Sequence, residues 1–379
     1  MKSLLRAIAI LVFAVAMTVT AQEDSPSGGT WSGGLTAQSY VRKDLLVLYD
    51  GIENAGRGVH ADSPSAWADL SGHGHDGVPG ADLVWEAAGW SNTTDGRPVT
   101  LGPDVSRTLS SARCFTVDFA CRPAKQRVRG SFFSQYGGSW AKGTFAVEHN
   151  SSINRKCGGF RFYQEGPQIN EYSQNAYALA GEEVTLALSV GRNERKMYKN
   201  GILCDTAASR PLRAISAAIP CVVGGEPARP QMAFRGTFHA FRLYTRQLTE
   251  AELMINAAVD AVRYRCLPLE EVRLPEGASF DAQTNILVQT RVQVRGAGSV
   301  FEGSGERVRG TTHRLNDAVA LRARPAQDGA RFVGWEGDVD LIQEGTVRAM
   351  SIVVSASRPF NLTAVFSRPN LKERKRTQR

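Results

Sequence analysis

The stretch GTFHAFRLYTRQLTEAEL at residues 236–253 decides the fold of this chain. Its first half alternates between two faces, as a β-strand does. Its second half predicts a helix, because Thr249 is a good N-cap and Glu252 lies three residues on, which completes a capping box. Leu248 and Leu253 are spaced for a hydrophobic staple around that cap. A long strand therefore runs directly into a capped helix, which we expect to end near Val262.

Two further segments extend this pattern towards the N-terminus. WADLSGHGHDG at residues 67–77 is typical of a strand end followed by a glycine-rich turn. Asn200-Gly201 predicts a type I′ hairpin, because these residue types adopt the two positive φ angles that the turn needs. Many short apolar runs separated by turn residues, including 108–109, predict further short strands. The helix after residue 249 is the one helix that the pattern predicts, so the expected fold class is all-β.

These segments resemble the opening and closing signatures of a LamG-like, concanavalin A-like jelly-roll domain. The resemblance covers residues 43–265 and implies an antiparallel sandwich. Lectins, adhesion modules and glycan-cleaving enzymes all use this fold, so the resemblance implies no single ligand.

A second, smaller β-rich domain is predicted at residues 285–367, after a linker at 266–284 that contains prolines. Its segments ARFVGWEGD at 330–338 and NLTAVF at 361–366 resemble the InlB B-repeat, a small module of bacterial surface proteins. The chain then ends in a basic stretch, residues 368–379, which we expect to be disordered.

The N-terminus is typical of an export signal. Lys2 and Arg6 precede an apolar run, and small residues before Gln22 form a cleavage site, which predicts a signal peptide at 1–21. The alternative is a membrane anchor, but the run is shorter than the roughly 20 residues that a span needs. Residues 22–42 are rich in Ser, Gly, Gln and Thr and predict a flexible leader. The mature chain is therefore expected in the periplasm, outside the cell or at its surface.

The net charge of +8 is concentrated at the two ends of the chain. The signal carries two basic residues, and residues 368–379 carry six basic residues and one Glu. The remaining body is close to neutral. This distribution argues against a nucleic-acid-binding surface, which would spread basic residues over the folded domain.

Six cysteines in an exported chain are compatible with disulfides. The pairing that the pattern favours is Cys204 with Cys221, at the ends of two segments expected to be adjacent. The alternative is that several cysteines are buried free thiols. No CxxC motif is present, so the sequence supports neither a zinc ribbon nor a thioredoxin-type site.

Acidic residues near turns raise the possibility of a metal ion. The resemblance implies a structural calcium ion at the sandwich rim, and Asp50, Asp69 and Asp76 are the candidate ligands, since calcium prefers carboxylate and carbonyl oxygens. The alternative is that Asp69 and Asp76 make turn hydrogen bonds. His73 and His75 beside Asp76 could bind a transition metal, but their tolerance of left-handed backbone explains them equally well.

Aromatic residues in loops are the candidates for ligand contact, because sugar sites use aromatic faces. We select Tyr136, Trp140 and Trp90, with packing at the sandwich rim as the alternative. Residues 43–265 contain no Glu-x-Asp-x-x-Glu strand motif, and no Gly-x-Ser-x-Gly occurs, so no catalytic residue is predicted.

The sequence therefore predicts an exported, non-catalytic binding or adhesion protein that recognises an extracellular glycan or a surface or matrix protein. Two alternatives stay open. One is a structural component of the bacterial envelope, and the other is a polysaccharide-active hydrolase or lyase.

Overall fold

Two antiparallel sheets face each other across an aromatic core in the computed structural model of this chain. The structure describes residues 34–92, 99–124, 129–136, 143–150, 159–164, 169–173, 175–208, 210–226, 228–303, 305–326 and 329–367. The sandwich strands are β1 (Leu45–Asp50), β2 (Val84–Glu86), β3 (Gly89–Asn92), β4 (Val99–Thr100), β5 (Phe115–Pro123), β6 (Gly130–Gln135), β7 (Phe145–Asn150), β8 (Gly159–Gln164), β9 (Ile169–Ser173), β10 (Val184–Val190), β11 (Glu194–Lys199), β12 (Ile202–Ala208), β13 (Val222–Val223) and β14 (Gly236–Tyr244). The helices are α1 (Pro103–Ser111) and α2 (Glu250–Arg263).

The first sheet has the order β12-β11-β10-β5-β14-β3-β2, and β1 also pairs with β14. The second sheet has the order β4-β13-β6-β7-β8-β9. Phenylalanines from both sheets meet between them: Phe119 of β5 and Phe132 of β6 have ring centroids 4.5 Å apart. Two antiparallel sheets with such a shared core are consistent with a jelly-roll sandwich, so the predicted all-β fold class is confirmed.

One predicted short strand is instead a helix. Residues 108–109 belong to α1, which begins with Pro103 at its first turn and carries Asp104 there. Both residue types favour a helix N-terminus. Val105 and Leu109, four residues apart, are buried together in the core. This amphipathic spacing explains the helix.

The predicted hairpin and capping box are both confirmed. Asn200 and Gly201 have φ angles of 51° and 79°, as a type I′ turn requires. At the start of α2 the Thr249 side chain accepts from the backbone N–H of Glu252, and the Glu252 carboxylate accepts from the backbone N–H of Thr249 at 2.9 Å. Leu248 is buried beside this cap.

Helix α2 covers the outer face of the first sheet, where it contacts β5, β10 and β12. The covered face is charged. Arg242 of β14 bonds Asp118 of β5 at 2.9 Å and both carboxylate oxygens of Asp260 in α2, at 2.8 and 2.7 Å. All three side chains are buried. This ion pair explains why both faces of β5 are buried, although its sequence alternates between apolar and polar residues.

The segment at 34–42 was predicted as flexible leader but is packed against this network. Leu35, Tyr40 and Val41 are buried, and the Tyr40 hydroxyl donates to Asp260 at 2.8 Å. The backbone N–H of Val41 donates to Asn256 of α2 at 2.9 Å. Three apolar anchors in a polar stretch therefore place these residues in the core.

Two further five-stranded sheets follow α2. Their strands are β15 (Ala278–Phe280), β16 (Ile286–Arg295), β17 (Gly298–Glu302), β18 (Glu306–Arg307), β19 (Gly310–Arg314), β20 (Ala318–Pro325), β21 (Phe332–Gly337), β22 (Ile342–Glu344), β23 (Ser351–Ser355) and β24 (Phe360–Phe366). One sheet has the order β15-β16-β24-β21 with β19 on β16, and the other β18-β17-β20-β23-β22. The first of these strands lies in the predicted linker.

This second β-rich part shares one hydrophobic core with α2 and with the segment at 34–42. Polar contacts reinforce the junction. The Ser357 hydroxyl donates to Glu252 at 2.8 Å, and the Asn316 side chain accepts from the backbone N–H of Arg42 at 2.9 Å. The two β-rich parts therefore pack directly on each other.

Among the described residues no helix is long and apolar enough to cross a membrane.

Candidate ligand-binding face

A polar row crosses the outer face of the second sheet. Ser131 of β6 pairs with Glu148 of β7, and Glu148 pairs with Arg161 of β8. Their strand neighbours Val147 and Phe162 belong to the hydrophobic core. Because successive side chains in a strand point to opposite faces, Glu148 and Arg161 point away from the core.

Glu148 is the centre of this row. Its carboxylate is fully buried, and two arginines bind it: Arg129 Nη2 lies 3.2 Å from Oε1, and Arg161 Nη1 lies 3.4 Å from Oε2. A buried carboxylate is tolerated only when it is paired and hydrogen-bonded. Glu148 therefore fixes the position of both guanidinium groups.

A second buried carboxylate, Glu226, lies beside the first. The Ser131 hydroxyl donates to its Oε1 at 2.6 Å, and Arg229 Nε donates to its Oε2 at 2.6 Å. Burial raises the pKa of Glu226, the bonds from Ser131 and Arg229 oppose that rise, and the charge of Glu148 adds to it. The two carboxylates are thus electrostatic neighbours that hold three arginines between them.

Two tyrosines complete the arrangement. The guanidinium carbon of Arg229 lies 4.0 Å from the ring centroid of Tyr136, and that of Arg161 lies 4.3 Å from the ring centroid of Tyr163. Both distances are those of cation–π contacts. We call the whole set the arginine face: Arg129, Ser131, Tyr136, Glu148, Arg161, Tyr163, Glu226 and Arg229.

Exposure separates the two kinds of charge on the arginine face. The side chains of Glu148 and Glu226 have no exposed surface, whereas those of Arg129, Arg161 and Arg229 are 42%, 13% and 22% exposed. The solvent-exposed groups of the arginine face are therefore the three guanidinium groups, and the two carboxylates lie beneath them. Such an arrangement can bind a ligand through preorganised donors, and both carboxylates are covered by the groups that bind them.

The aromatic residues predicted to contact a ligand have different positions in the structure. Tyr136 belongs to the arginine face, although only 5% of it is exposed. Trp90 is fully buried and stacks on Phe238 with ring centroids 5.1 Å apart, so it has no free face for a ligand. The prediction for Trp90 is corrected on this ground. Trp140 lies outside the described residues.

The structure does not bring the three predicted calcium ligands together. Asp50 is buried and accepts from Arg263 at 2.7 Å. Asp69 accepts from the backbone N–H of Ser71 at 2.9 Å, and Asp76 accepts from the backbone N–H of Asp69 at 2.8 Å. These are interior and turn hydrogen bonds. In the described part of the chain no group of three or more His, Cys, Asp or Glu is arranged to hold a metal ion.

The predicted bridge between Cys204 and Cys221 is not formed. Cys204 lies on β12 of the first sheet, and its thiol contacts the carbonyl oxygen of Ile202 at 3.5 Å. Cys221 is buried immediately before β13 of the second sheet, and burial raises the pKa of its thiol to about 12. The five described cysteines are free thiols, and Cys157 lies outside the described residues.

The arginine face was not predicted, although part of its signal is visible in the sequence. In β8, Phe160 and Phe162 alternate with Arg161 and Tyr163, which predicts that Arg161 and Tyr163 share the outward face. The pairing of β6, β7 and β8 and the approach of Glu226 from a distant turn depend on the tertiary fold.

Comparison with known proteins supports the sandwich. Residues 93–254 match the family model described as the concanavalin A-like lectin/glucanases superfamily. That part of the chain has the concanavalin A-like fold. No curated protein matches this sequence.

Several solved structures are similar in fold. Domain 4 of AbnA, a GH43 extracellular arabinanase from Geobacillus stearothermophilus in complex with arabinotriose, is 15% identical with a TM-score of 0.43, and the match covers 56% of this chain and 98% of that one. The CBM40 of Ruminococcus gnavus IT-sialidase, bound to alpha2,3 sialyllactose, is 17% identical with a TM-score of 0.33, and the match covers 40% of this chain and 84% of that one. Trypanosoma rangeli sialidase in complex with sialic acid is 13% identical with a TM-score of 0.42 over 58% of this chain and 33% of that one.

Proposed function

We propose that this chain is an exported, non-catalytic protein that recognises an extracellular glycan or protein ligand through the arginine face. The observation that carries the proposal is the burial of Glu148 and Glu226 beneath three arginines that reach solvent. Paired groups held on a rigid sheet lose little conformational entropy when a ligand binds, and this favours affinity.

The same burial argues against catalysis at this face. A glycosidase needs one carboxyl group at the leaving oxygen and a second at the opposite side of the sugar ring. Glu148 and Glu226 are covered by protein and engaged by Arg129, Arg161, Arg229 and Ser131. A substrate would have to displace those partners before it could reach either carboxylate.

We further propose that the second β-rich part is an InlB-repeat-like module that presents the sandwich at a surface. Two observations support this. The segments that carry the resemblance form neighbouring antiparallel strands, since β21 pairs with β24. Trp335 of the first segment is buried, and its indole N–H donates to the carbonyl of Ala349 at 2.9 Å. The shared core with α2 makes the module a rigid support.

An array of glycans and matrix proteins tests the proposal with the full-length chain. We expect binding to one ligand class, and we expect Tyr163→Ala to reduce it because that change removes a ring that supports Arg161. Tyr177→Ala is the matched control: its ring also lies under a cation, with Lys199 Nζ 4.9 Å from the centroid, but it is not part of the arginine face. The proposal would be contradicted if no ligand on the array bound. It would also be contradicted if Tyr177→Ala reduced binding as much as Tyr163→Ala.

One observation favours hydrolysis as a second candidate function. Burial raises the pKa of Glu226, as in the general acid of a glycosidase, and Glu148 is a second carboxylate close enough to add to that rise. Incubation with a panel of polysaccharides followed by reducing-end analysis tests this candidate. Activity that Glu226→Gln abolishes would replace the binding proposal, and intact polymers would remove the hydrolase.

A further inference from the structure

We infer that the ligand of the arginine face is an anionic glycan, whose carboxylate or sulfate group binds at Arg129. This inference rests on the proposed function and names the chemistry of its ligand. It follows from the orientation of one guanidinium group, from the layering of charge, and from the neighbouring tyrosine.

Arg129 is anchored on one edge and open on the other. Its Nε and Nη2 both donate to Glu148, with distances of 3.2 to 3.4 Å. Its Nη1 makes no hydrogen bond to any described residue, and the side chain is 42% exposed. A guanidinium held along one edge presents its remaining N–H groups in a fixed plane, which suits the paired oxygens of a carboxylate or sulfate.

The charge of the whole face favours an anion over a neutral sugar. Three guanidinium groups carry three positive charges, while the two carboxylates carry two negative charges at most. The excess is positive, and the carboxylates are the buried layer. A ligand at the surface therefore approaches the positive groups more closely than the carboxylates beneath them.

The size of the positive patch favours a glycan over a nucleic acid. Duplex binding requires a run of phosphate contacts along a basic stripe. Here the positive groups converge on one region of one sheet, and the rest of the folded body is close to neutral. Tyr163, whose ring contacts Arg161, supplies an aromatic neighbour of the kind that sugar sites use.

Two pairs of polymers test the inference with the full-length chain. Polygalacturonate is compared with its carboxyl-reduced, neutral form, and dextran sulfate with dextran. Binding to a charged polymer and weaker binding to its neutral partner would support the inference, and the pair that shows the difference identifies carboxylate or sulfate. We expect Arg129→Ala to weaken that binding about ten- to hundredfold, which is the range for one charge-assisted hydrogen-bonded contact.

Two control variants separate the arginine face from general positive charge. Arg295→Ala removes an exposed arginine from the second β-rich part, where it pairs with Glu336. A triple variant with Arg374, Lys375 and Arg376 changed to Gln neutralises much of the basic C-terminal stretch. We expect both to retain at least half of the binding. A larger loss in either one would overturn the inference.

Arg129→Lys separates geometry from charge. It keeps the positive charge but loses the planar fork, so we expect an affinity between those of the wild type and Arg129→Ala. Thermal unfolding confirms that each variant is folded, which the exposure of Arg129 favours.

The inference and the proposed function can fail separately. One result would overturn the inference that the ligand is anionic but would still support the proposed function. In that result charged and neutral polymers bind equally well, and Tyr163→Ala loses binding while Arg129→Ala does not. Binding of double-stranded DNA as tight as that of the charged polymers would also overturn the inference, since it would show a general polyanion surface. Absence of binding here and on the array would contradict both.

Discussion

Asp260→Asn should lower the free energy of unfolding by about 4 kcal/mol, because it breaks the buried ion pair beneath α2. Asp260 accepts from both Nη atoms of Arg242, at 2.8 and 2.7 Å. It also accepts from the hydroxyls of Tyr40 and Thr185, each at 2.8 Å. An amide has one acceptor oxygen and no charge, so two of these four donors lose their partner.

The magnitude follows from burial. Arg242 and Asp118 have no exposed side-chain surface, so the arginine would keep one carboxylate and no access to water. Removing one partner of a buried pair costs about 3–5 kcal/mol, and each stranded donor costs about 1–3 kcal/mol. Part of the loss is recovered, since the remaining amide oxygen still accepts. We therefore expect the free energy of unfolding to fall by about 4 kcal/mol, near the middle of the range for breaking a buried pair.

Urea unfolding followed by tryptophan fluorescence measures the effect. Glu336→Gln is the matched control, since it also converts a carboxylate to an amide but in an exposed pair with Arg295, and it should cost less than about 1 kcal/mol. A loss below 1 kcal/mol in Asp260→Asn, equal to that of the control, would refute the argument that this ion pair secures α2 to the sheet.

Three further predictions follow from local features. Under native conditions an alkylating reagent should label the exposed Cys266 and spare Cys221, whose pKa burial raises to about 12; equal labelling by mass spectrometry would contradict this. Burial alone would raise the pKa of Glu252, but the bonds that it accepts hold its pKa below the usual 4.5. The ionised carboxylate therefore contributes its full stability above pH 4.5, and this contribution is lost as the pH falls through the pKa of Glu252 in the folded protein. We expect the melting temperatures of the wild type and Glu252→Gln to converge in acid. A difference between them that does not change with pH would refute the assignment. Gly201→Ala should cost about 2 kcal/mol in a urea titration, since φ is 79° and the added Cβ would lie 2.6 Å from the backbone of α2; an unchanged midpoint would contradict this.

The elements that the sequence predicted correctly are those governed by local rules. The capping box at Thr249 and the turn at Asn200 depend on residues within four positions of each other, and both are present. The alternation of apolar and polar residues in β5 is also visible in the sequence, but the groups that cover its polar face are not. Arg242 and Asp260 cover that face, and they come from elements more than 100 residues away in the sequence.

The candidate site depended on information that a local pattern does not hold. Glu148 and Glu226 are isolated acidic residues in the sequence, and only strand register and a turn bring them to Ser131. Trp90 shows the opposite case. It was selected as a loop residue that could contact a ligand, yet β3 pairs with β14 and places its ring in the core. Composition alone also did not distinguish the packed segment at 34–42 from a leader.

The most direct test of the account is a calorimetric titration of the best array ligand into the full-length chain, Tyr163→Ala and Tyr177→Ala, with mass analysis of the ligand afterwards. We expect saturable binding to the wild type and to Tyr177→Ala, weaker binding to Tyr163→Ala, and a ligand recovered intact. Equal affinities for all three proteins would show that the arginine face is not the site, and a cleaved ligand would show that the protein is an enzyme.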